Sequence, residues 1–483
     1  MFDVAIVGGG IHGAAVAREA ATRGLSVFLA EKDDLAAGTS SRSSKLIHGG
    51  LRYLESGQFG LVREALRDRR VLLDTAPALV RPLEFLLPFY RGERRPGALV
   101  RLGLLLYDRM AGESGLPEHR RVTAGEALAL EPDLPRDGLV GGAIFHDAQM
   151  DDARLVVANA VAAVESGATI RTRAAVTALE RRPAGGGWRI ALGGEAEGEV
   201  VEARAVVNAA GPWVDAVRVR AGVGRARALR PTRGAHLVVD GLTRGRALLL
   251  FTRRDARVFF VLPWGGLSLV GTTDTDHAAA PDAVAPTPQD VRYLWREIAE
   301  RWPGRGPAAE PRAVRRTFAG LRSLSRKGGG TLPWENSREA RLLEENGLVS
   351  LVGGKYTTAR SLAQRAVERV ARRLGRRLPA STTAATPLPA LPRLDGAPDA
   401  PALAGLVRRE FARTAADVVW RRTTLWLERD RARAAARPVA EGLAPLLGWD
   451  ATRTEREAAE IVTACDEEER LLARACAGED ADD

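Results

Sequence analysis

The sequence predicts an α/β fold with an additional helical region, written α/β + α. Three observations predict it. A strand, a glycine turn, a helix and a second strand occupy residues 2–31 in the order expected for a parallel sheet. Short apolar runs separated by turn residues fill 234–271, which is typical of antiparallel strands. Helical patterns occupy 401–476, after a stretch rich in proline, alanine and threonine.

The N-terminal element carries glycines at a spacing that suits a dinucleotide. Gly8, Gly10 and Gly13 form G-x-G-x-x-G after a continuous apolar strand, and Glu31 ends the second strand. The glycines let the backbone approach a pyrophosphate, the helix N-terminus adds partial positive charge, and the acid binds ribose hydroxyls. A glutamate without a neighbouring arginine argues against a 2′-phosphate. The pattern therefore predicts FAD or NAD.

Two later segments favour FAD. Residues 203–214 form a strand that ends in a small-residue turn at Gly211, and they resemble the second FAD-contact strand of flavoproteins with two dinucleotide-binding units. Residues 347–374 read as a strand, a glycine turn and a helix. The N-terminus of that helix would stabilise the negative charge of a reduced flavin near N1 and O2. We predict non-covalent FAD.

The composition indicates which classes of partner and which kinds of site the protein can have. The 483 residues can bury two or three domain cores, and the net charge of +10 favours a phosphorylated substrate, nucleic acid or an acidic lipid surface. The two cysteines exclude a disulfide framework and a protein-held iron–sulfur cluster. No signal peptide, spanning helix or metal site is expected.

The motifs together resemble one family. Residues 8–55 closely resemble the N-terminus of the FAD-dependent glycerol-3-phosphate dehydrogenases, and TSSRSSKLIHGGLRYLE (39–55) is highly specific to them. The further matches are DDARLV (151–156), NAAGPWV (208–214), GTTD (271–274), AGLRSL (319–324), GGKYTTAR (353–360) and VVWRRTTL (418–425). The resemblance covers nearly the whole chain. It implies a two-dinucleotide-binding-type FAD domain like that of D-amino-acid oxidase, an antiparallel-sheet substrate domain and a helical C-terminal cap.

The resemblance divides the chain as follows. The FAD-binding domain is expected at 1–75, 149–220 and 316–378, the substrate domain at 76–148 and 221–315, a linker at 379–400 and the cap at 401–476. Ser323 replaces a proline usual in the family, so we expect a looser segment there. The region between TTAR and WRRT looks shorter than is usual in the family, so we expect a reduced cap. The sequence does not decide whether the protein forms a homodimer.

The implied activity is oxidation of sn-glycerol 3-phosphate to dihydroxyacetone phosphate, with hydride transfer to FAD and electrons passed to a quinone. An oxidase that uses oxygen is the alternative, and an amino-acid or amine oxidase of the same fold is less favoured. A flavin-bound module without catalysis is disfavoured by the intact motifs. Glycerol 3-phosphate, quinone and an anionic membrane surface are the expected partners, and nucleic acid is not.

The resemblance also implies the site residues. His48 or Arg322 would handle the proton of the C2 hydroxyl, since a neutral histidine accepts protons near pH 7 and an arginine stabilises an alkoxide. The expected substrate contacts are Arg52, Tyr53, Arg322 and Lys355. The expected cofactor contacts are Gly8, Gly10, Gly13, Glu31, Thr39, Ser40, Lys45, Leu46, His48, Gly211, Gly354, Lys355 and Thr357. Without the motif, Arg52 is better interpreted as a surface arginine, and His48 fits a buried structural histidine as well as it fits a functional one.

Residues 81–110 mix bulky apolar side chains with arginines. The segment is too broken to span a bilayer, but it suits a surface-bound element with arginines near anionic head groups. The competing interpretation is a core-packing hairpin. We expect a membrane-facing insertion and a cytoplasmic protein attached peripherally to the inner face of the cytoplasmic membrane.

Overall fold

The computed structural model describes residues 1–54, 57–92, 97–112, 115–183, 186–224, 226–255, 257–302, 313–325 and 340–479, with backbone alone at 52 and 97–99. The strands are β1 (Phe2–Val7), β2 (Val27–Ala30), β3 (Leu46–Ile47), β4 (Val80–Tyr90), β5 (Arg120–Val122), β6 (Leu139–Met150), β7 (Thr169–Arg171), β8 (Ala174–Arg181), β9 (Trp188–Gly194), β10 (Val200–Asn208), β11 (Leu229–Asp240), β12 (Ala247–Phe251), β13 (Val258–Trp264), β14 (Leu267–Gly271), β15 (Thr275–Asp276), β16 (Arg316–Ser325), β17 (Arg341–Glu345) and β18 (Leu348–Val352). The helices are α1 (Ile11–Thr22), α2 (Phe59–Thr75), α3 (Gly97–Ala111), α4 (Ala124–Leu130), α5 (Asp152–Glu165), α6 (Val214–Arg220), α7 (Pro288–Arg301), α8 (Ala359–Leu374), α9 (Ala400–Arg409), α10 (Ala415–Arg421), α11 (Arg429–Leu447) and α12 (Ala451–Ala477).

The first sheet is built on the N-terminal strand. Its order is β17-β18-β10-β1-β2-β7, with all neighbours parallel except β17, and the hairpin β8–β9 joins it beside β10. Helices α1, α5 and α8 cover one face. Fully buried alanines such as Ala14 and Ala17 let α1 approach its neighbours closely. The opposite face packs under β8 and β9 around the buried Trp188.

The second sheet is larger and mostly antiparallel. Its order is β15-β11-β14-β13-β12-β4-β6-β3, with β16 paired to β11 and β5 to β6. One face packs against α4, α7 and part of α12, and the other carries the stacked rings of Phe85 and Phe145. The predicted antiparallel texture is present. Within it, however, β11 pairs with β14 and β16 instead of with its neighbour β12.

The cap comprises α9–α12 around its own apolar core. Buried ion pairs join it to the rest of the chain: the Arg422 guanidinium donates to both carboxylate oxygens of Asp34 at 2.8 and 2.9 Å, and Arg154 pairs with Glu410. Residues 379–400 contain no helix or strand before Ala400, but they are packed, since the Leu388 amide donates to the Thr75 carbonyl at 2.7 Å. The predicted linker is therefore a fixed connection.

Three expectations are corrected by the strand pairing. Residues 46–47 and 316–325 were expected in the FAD-binding domain, but they belong to the second sheet and not to the first. The reason is that β3 pairs with β6 and β16 pairs with β11. Ser323 lies opposite Pro231 in a continuous ladder, so the segment is an ordinary strand and not a loosened loop. The stretch 81–110 begins with β4, a strand between β12 and β6, so its first third is core. Among the described residues, no helix is long and apolar enough to cross a bilayer.

Candidate active site

A cavity of about 510 Å³ lies between the two sheets. One end is walled by Gly8, Gly10 and Glu31 at the carboxyl edge of the first sheet. The other end is walled by residues from the second sheet and from the loops that enter it, including His48 and Arg322. In open α/β sheets, ligands bind outside the carboxyl ends of the strands, so this position favours the dinucleotide at the first end.

The glycine turn requires its glycines. Gly8 has φ +105°, and a Cβ there would lie 2.8 Å from the Ala209 carbonyl oxygen. A Cβ on Gly13 would lie 1.8 Å from the Gly8 carbonyl oxygen. Gly8 and Gly10 line the cavity, whereas Gly13 lies beneath the turn and lets helix α1 pack against it. Gly13 therefore shapes the site without forming its wall.

Glu31 is oriented by the backbone. Its two carboxylate oxygens accept hydrogen bonds from the Gly9 amide at 2.6 Å and the Asp33 amide at 2.9 Å. Burial raises the pKa of this carboxyl, against the lowering effect of those amides. The carboxylate lies at the cavity edge, where the sequence pattern places the ribose.

The turn at 39–41 forms part of the cavity wall. The Ser40 hydroxyl accepts from the Ile11 amide at 3.0 Å, and the Thr39 hydroxyl donates to the Leu321 carbonyl at 2.8 Å. Both residues line the cavity. The other predicted contacts that line it are Leu46, His48, Gly211, Gly354, Lys355 and Thr357.

Lys45 does not line the cavity, contrary to the expected cofactor contact. Its ammonium lies 2.5 Å from the Asp152 carboxylate, with both side chains buried, and 4.3 Å from the centroid of the Trp426 ring. Asp152 also accepts from the Ser43 hydroxyl at 2.7 Å. Residues of the SSK and DDARLV runs thus meet in a buried structural anchor that ties the loop at 43–45 to the cap.

The second end of the cavity, lined by His48, Tyr53, Arg322 and Lys355, brings together residues distant in sequence. The Lys355 ammonium lies 3.5 Å from the centroid of the Tyr53 ring, and both residues line the cavity. The His48 amide lies 3.3 Å from the Thr357 hydroxyl, which joins the two loops. Gly50 has φ +81°, and a Cβ there would lie 2.3 Å from the Tyr53 ring. The side chain of Arg52 lies outside the described residues.

Arg322 is held by the GTTD motif. Its guanidinium donates to the Asp274 carboxylate at 3.0 Å, the Thr272 hydroxyl at 2.8 Å and the Thr273 carbonyl at 3.0 Å. The absence of a side chain at Gly234 makes room for it, because a Cβ there would lie 2.4 Å from Nη2. Arg322 therefore enters the cavity as a pre-oriented cation whose charge is partly offset by Asp274.

His236 is a cavity residue that the sequence interpretation missed. Its Nε2 lies 2.8 Å from the Ser44 hydroxyl, its ring stacks on Phe318, and its Nδ1 has no hydrogen-bond partner among the described residues. Burial, followed by the charges of Arg322 and Lys45, lowers its pKa to about 3. The available signal was a lone histidine in the apolar strand GAHLVV.

Arg233 and His12 are structural residues near the site. Arg233 pairs with Asp290 at 3.0 Å and is not a wall residue. His12 packs against Gly354, and burial lowers the pKa of its ring to about 4, although a hydrogen bond with the Lys355 backbone opposes this. His12 thus packs against the second glycine turn and lines the cavity.

These features fit FAD. The cavity extends from the glycine turn and Glu31 to the second glycine turn at Gly353 and Gly354, so a single extended ligand can contact both motifs. The Gly8 cradle admits no side chain. No three histidine, cysteine or carboxylate side chains in the described ranges form a metal site.

Family models match most of the chain. The model of the FAD-dependent oxidoreductases matches residues 3–368, and that of the C-terminal domain of alpha-glycerophosphate oxidase matches 401–454. The D-erythritol 1-phosphate dehydrogenase of Brucella abortus is 42% identical over 76% of this chain and 73% of its own length. The glycerol-3-phosphate dehydrogenase of Pseudomonas aeruginosa is 39% identical over 76% and 71%.

Solved structures agree on the fold. The glycerol-3-phosphate dehydrogenase of Bacillus halodurans, complexed with FAD, superposes with a TM-score of 0.77 at 24% identity, over 97% of this chain and 95% of that one. The L-alpha-glycerophosphate oxidase of Mycoplasma pneumoniae gives 0.61 at 20% identity, over 81% and 99%. The predicted three-part fold and the FAD cofactor are confirmed. The chain belongs to the FAD-dependent oxidoreductases, within the group that contains the FAD-dependent glycerol-3-phosphate dehydrogenases and related polyol-phosphate dehydrogenases.

Proposed function

We propose that the protein oxidises sn-glycerol 3-phosphate at C2 to dihydroxyacetone phosphate, with hydride transfer to FAD and electrons passed to a membrane quinone. The observation that carries the proposal is the cationic end of the cavity, which Arg322 and Lys355 line together with His48 and His236. Guanidinium and ammonium groups in a partly buried cleft favour a phosphate ester over a neutral polyol. The similarity to the relatives named above supports the same substrate class.

Bound FAD supplies the hydride acceptor, and the chain must handle the hydroxyl proton. Arg322 is committed to Asp274, so we assign it to binding the phosphate or the developing alkoxide. The ring of His236 is neutral at pH 7 and has an unpaired Nδ1 among the described residues. A phosphate dianion would offset the nearby positive charges and raise the pKa of that ring. We therefore add His236 to His48 as a candidate proton acceptor.

Anaerobic reduction tests this assignment. Purified FAD-loaded protein mixed with glycerol 3-phosphate should lose its flavin absorbance, and the same protein mixed with amino acids should not. His48→Asn and His236→Gln, each loaded with FAD, should separate the proton-transfer role. If a variant reduces its flavin at nearly the native rate from pH 6 to 9, that histidine is structural. Bleaching by amino acids alone would contradict the whole proposal.

We place the protein in the cytoplasm, attached peripherally to the inner face of the membrane. The support is an exposed apolar surface on α3, formed by Leu102, Leu105 and Leu106, which are 53%, 45% and 40% exposed. Phe59 at the start of α2, a helix that contacts α3, is also 49% exposed. Apolar side chains at this spacing lie on one side of a helix and suit shallow insertion among lipid head groups.

Vesicle binding tests the attachment and the acceptor together. We expect salt-sensitive binding to anionic vesicles and faster turnover when they contain a quinone. Leu105→Gln should weaken binding while leaving anaerobic flavin reduction by glycerol 3-phosphate unchanged. Protein that stays unbound at low salt and passes its electrons only to oxygen would instead be an oxidase.

A second phosphorylated polyol is also a candidate substrate. The observation that favours it is the 42% identity to a D-erythritol 1-phosphate dehydrogenase. Both substrates carry a secondary alcohol and a phosphate monoester, so the same cationic residues would serve both. Comparing the second-order rate constants of flavin reduction by the two compounds decides between them, because the preferred substrate gives the larger value.

A further inference from the structure

We propose that Tyr107 and Asp147, held by Arg69, are positioning residues that set the backbone of Gly49 and so aim the loop carrying His48 at the substrate. The inference rests on the proposed function, because it assigns a role in flavin reduction. The three side chains come from separate elements: Arg69 from α2, Tyr107 from α3 and Asp147 from β6. They meet behind the loop.

The contacts form one buried polar cluster. The Gly49 amide donates to the Tyr107 hydroxyl at 2.8 Å and lies 3.3 Å from Asp147 Oδ1. The Tyr107 hydroxyl in turn donates to Asp147 Oδ1 at 2.7 Å. Arg69 Nη1 donates to the same oxygen at 2.5 Å and to the His146 carbonyl at 3.1 Å. The Gly49 amide, the Tyr107 hydroxyl and the Arg69 guanidinium therefore all converge on the single oxygen Asp147 Oδ1.

The cluster is buried. Arg69, Tyr107 and Asp147 are 1%, 1% and 4% exposed. Burial, reinforced by the Asp147 charge, raises the pKa of Tyr107 well above its usual value, so its hydroxyl keeps the proton that it donates. A buried ion pair returns little net stability compared with apolar packing, because desolvation opposes the charge attraction. We therefore assign the cluster to geometry rather than to stability.

The loop at 48–50 has no room for a side chain at either of its two glycines. A Cβ on Gly49 would lie 2.4 Å from Leu66 and 2.5 Å from the Tyr107 hydroxyl, and one on Gly50 would lie 2.3 Å from the Tyr53 ring. The loop is thus clamped between the cluster and the Tyr53–Lys355 pair. Gly49 lies directly between His48 and Gly50, which both line the cavity. A shift of the Gly49 amide must therefore move cavity residues.

Among the described residues, the Arg69 bond to the His146 carbonyl is the one hydrogen bond of these three side chains that leads outside the cluster. Asp147 itself lines the cavity, whereas Tyr107 and Arg69 do not. The cluster is consequently close enough to act on the reacting region but is not placed to bind the phosphate as Arg322 and Lys355 are. This placement is that of a support for the loop, which fixes orientation rather than supplying chemistry.

Tyr107→Phe tests the proposal, because it removes one hydroxyl and keeps the ring. The matched control is Tyr293→Phe, which removes a hydroxyl bonded to Asp255 at 3.1 Å on a helix that does not line the cavity. Both proteins are compared with native protein, per bound FAD, by anaerobic stopped-flow reduction with glycerol 3-phosphate. We expect Tyr107→Phe to lower the limiting rate constant by roughly 10- to 100-fold with little change in half-saturation. Tyr293→Phe should match the native protein.

Asp147→Asn is the second variant, which keeps the shape and removes the charge that orients Arg69. It should also lower the limiting rate constant while retaining FAD. The proposal is overturned if folded, FAD-loaded Tyr107→Phe or Asp147→Asn reduces at the native rate, or if only half-saturation changes. If native protein itself is not reduced by glycerol 3-phosphate, the proposed function fails instead, so the two failures are distinguishable.

Discussion

The two ends of the cavity are built by different means. At the dinucleotide end, backbone geometry within one contiguous motif makes the site: Gly8 and Gly13 admit no side chain, and Glu31 is held by backbone amides. At the substrate end, side chains from distant segments make it, and each needs a partner, as Arg322 needs Asp274. A local motif therefore specifies the first end, whereas tertiary packing specifies the second.

The largest effect is expected from breaking the local end. Gly13→Val should prevent FAD binding altogether, because its Cβ would lie 1.8 Å from the Gly8 carbonyl oxygen and force the turn out of place. The control is Gly125→Val, also on a helix, where a Cβ meets nothing within 4 Å. Flavin absorbance per protein is the measurement. A full complement of yellow flavin in Gly13→Val would show that the turn does not hold the pyrophosphate.

The next effect tests whether the dinucleotide end is wholly local. Asp34, which follows β2, is 0% exposed and bound by Arg422 and Arg421 of the cap. Breaking a buried ion pair costs about 3–5 kcal/mol of unfolding free energy. We therefore expect Asp34→Asn to lower the free energy of unfolding by an amount in this range, as measured by denaturant unfolding.

The adjacent Asp33 provides the control for that variant. Its side chain is 45% exposed and pairs with Lys32, and surface pairs contribute about 0–1 kcal/mol. Asp33→Asn should therefore leave the unfolding free energy nearly unchanged. Equal losses for the two variants would mean that the cap does not stabilise the dinucleotide loop through Asp34.

Arg322→Ala addresses the substrate end. Losing a desolvated charge contact to the phosphate should cost about 2–5 kcal/mol in kcat/KM for glycerol 3-phosphate, while FAD stays bound. Arg315→Ala removes an arginine that pairs with Asp240 at the surface just before β16, and it should leave kcat/KM unchanged. Unchanged turnover in Arg322→Ala would remove this residue from the substrate site.

The smallest effect is a pH dependence of stability. Burial lowers the pKa of His236 to about 3, below its usual 6.5, so the unfolded chain takes up a proton that the native ring does not. The native state therefore has its full free energy of unfolding, as far as this ring is concerned, above about pH 6.5. That free energy decreases as the pH falls below this value. Between about pH 6 and 4 it should fall by about 1.4 kcal/mol per unit. His236→Gln should remove this part of the slope, and an unchanged slope would contradict the burial of that ring.

Much of the fold could be predicted because its signals are local. The spacing from Gly8 to Glu31 and the period of α8 each lie within one window of sequence, and both elements are present. The partner of β11 could not be predicted in this way. Strand pairing depends on which edges meet, and β11 gains ten paired positions with β16, which lies much later in the chain.

The same reasoning explains which site residues could be placed from the sequence and which could not. The glycine turn could be placed because only backbone geometry was needed. Lys45 could not, since its ammonium is held by Asp152 and the Trp426 ring, which become neighbours only in the fold. His236 lies in an apolar strand whose sequence indicates core, and its place beside Ser44 follows from the pairing of the second sheet.

The central claim is that the substrate end recognises a phosphate ester. It is tested most directly by mixing native, FAD-loaded protein anaerobically with equal concentrations of glycerol 3-phosphate and of glycerol, and following the flavin absorbance. The account predicts rapid bleaching by glycerol 3-phosphate and almost none by glycerol, because only the phosphate can engage Arg322 and Lys355. Equal rates of bleaching by the two compounds would contradict it.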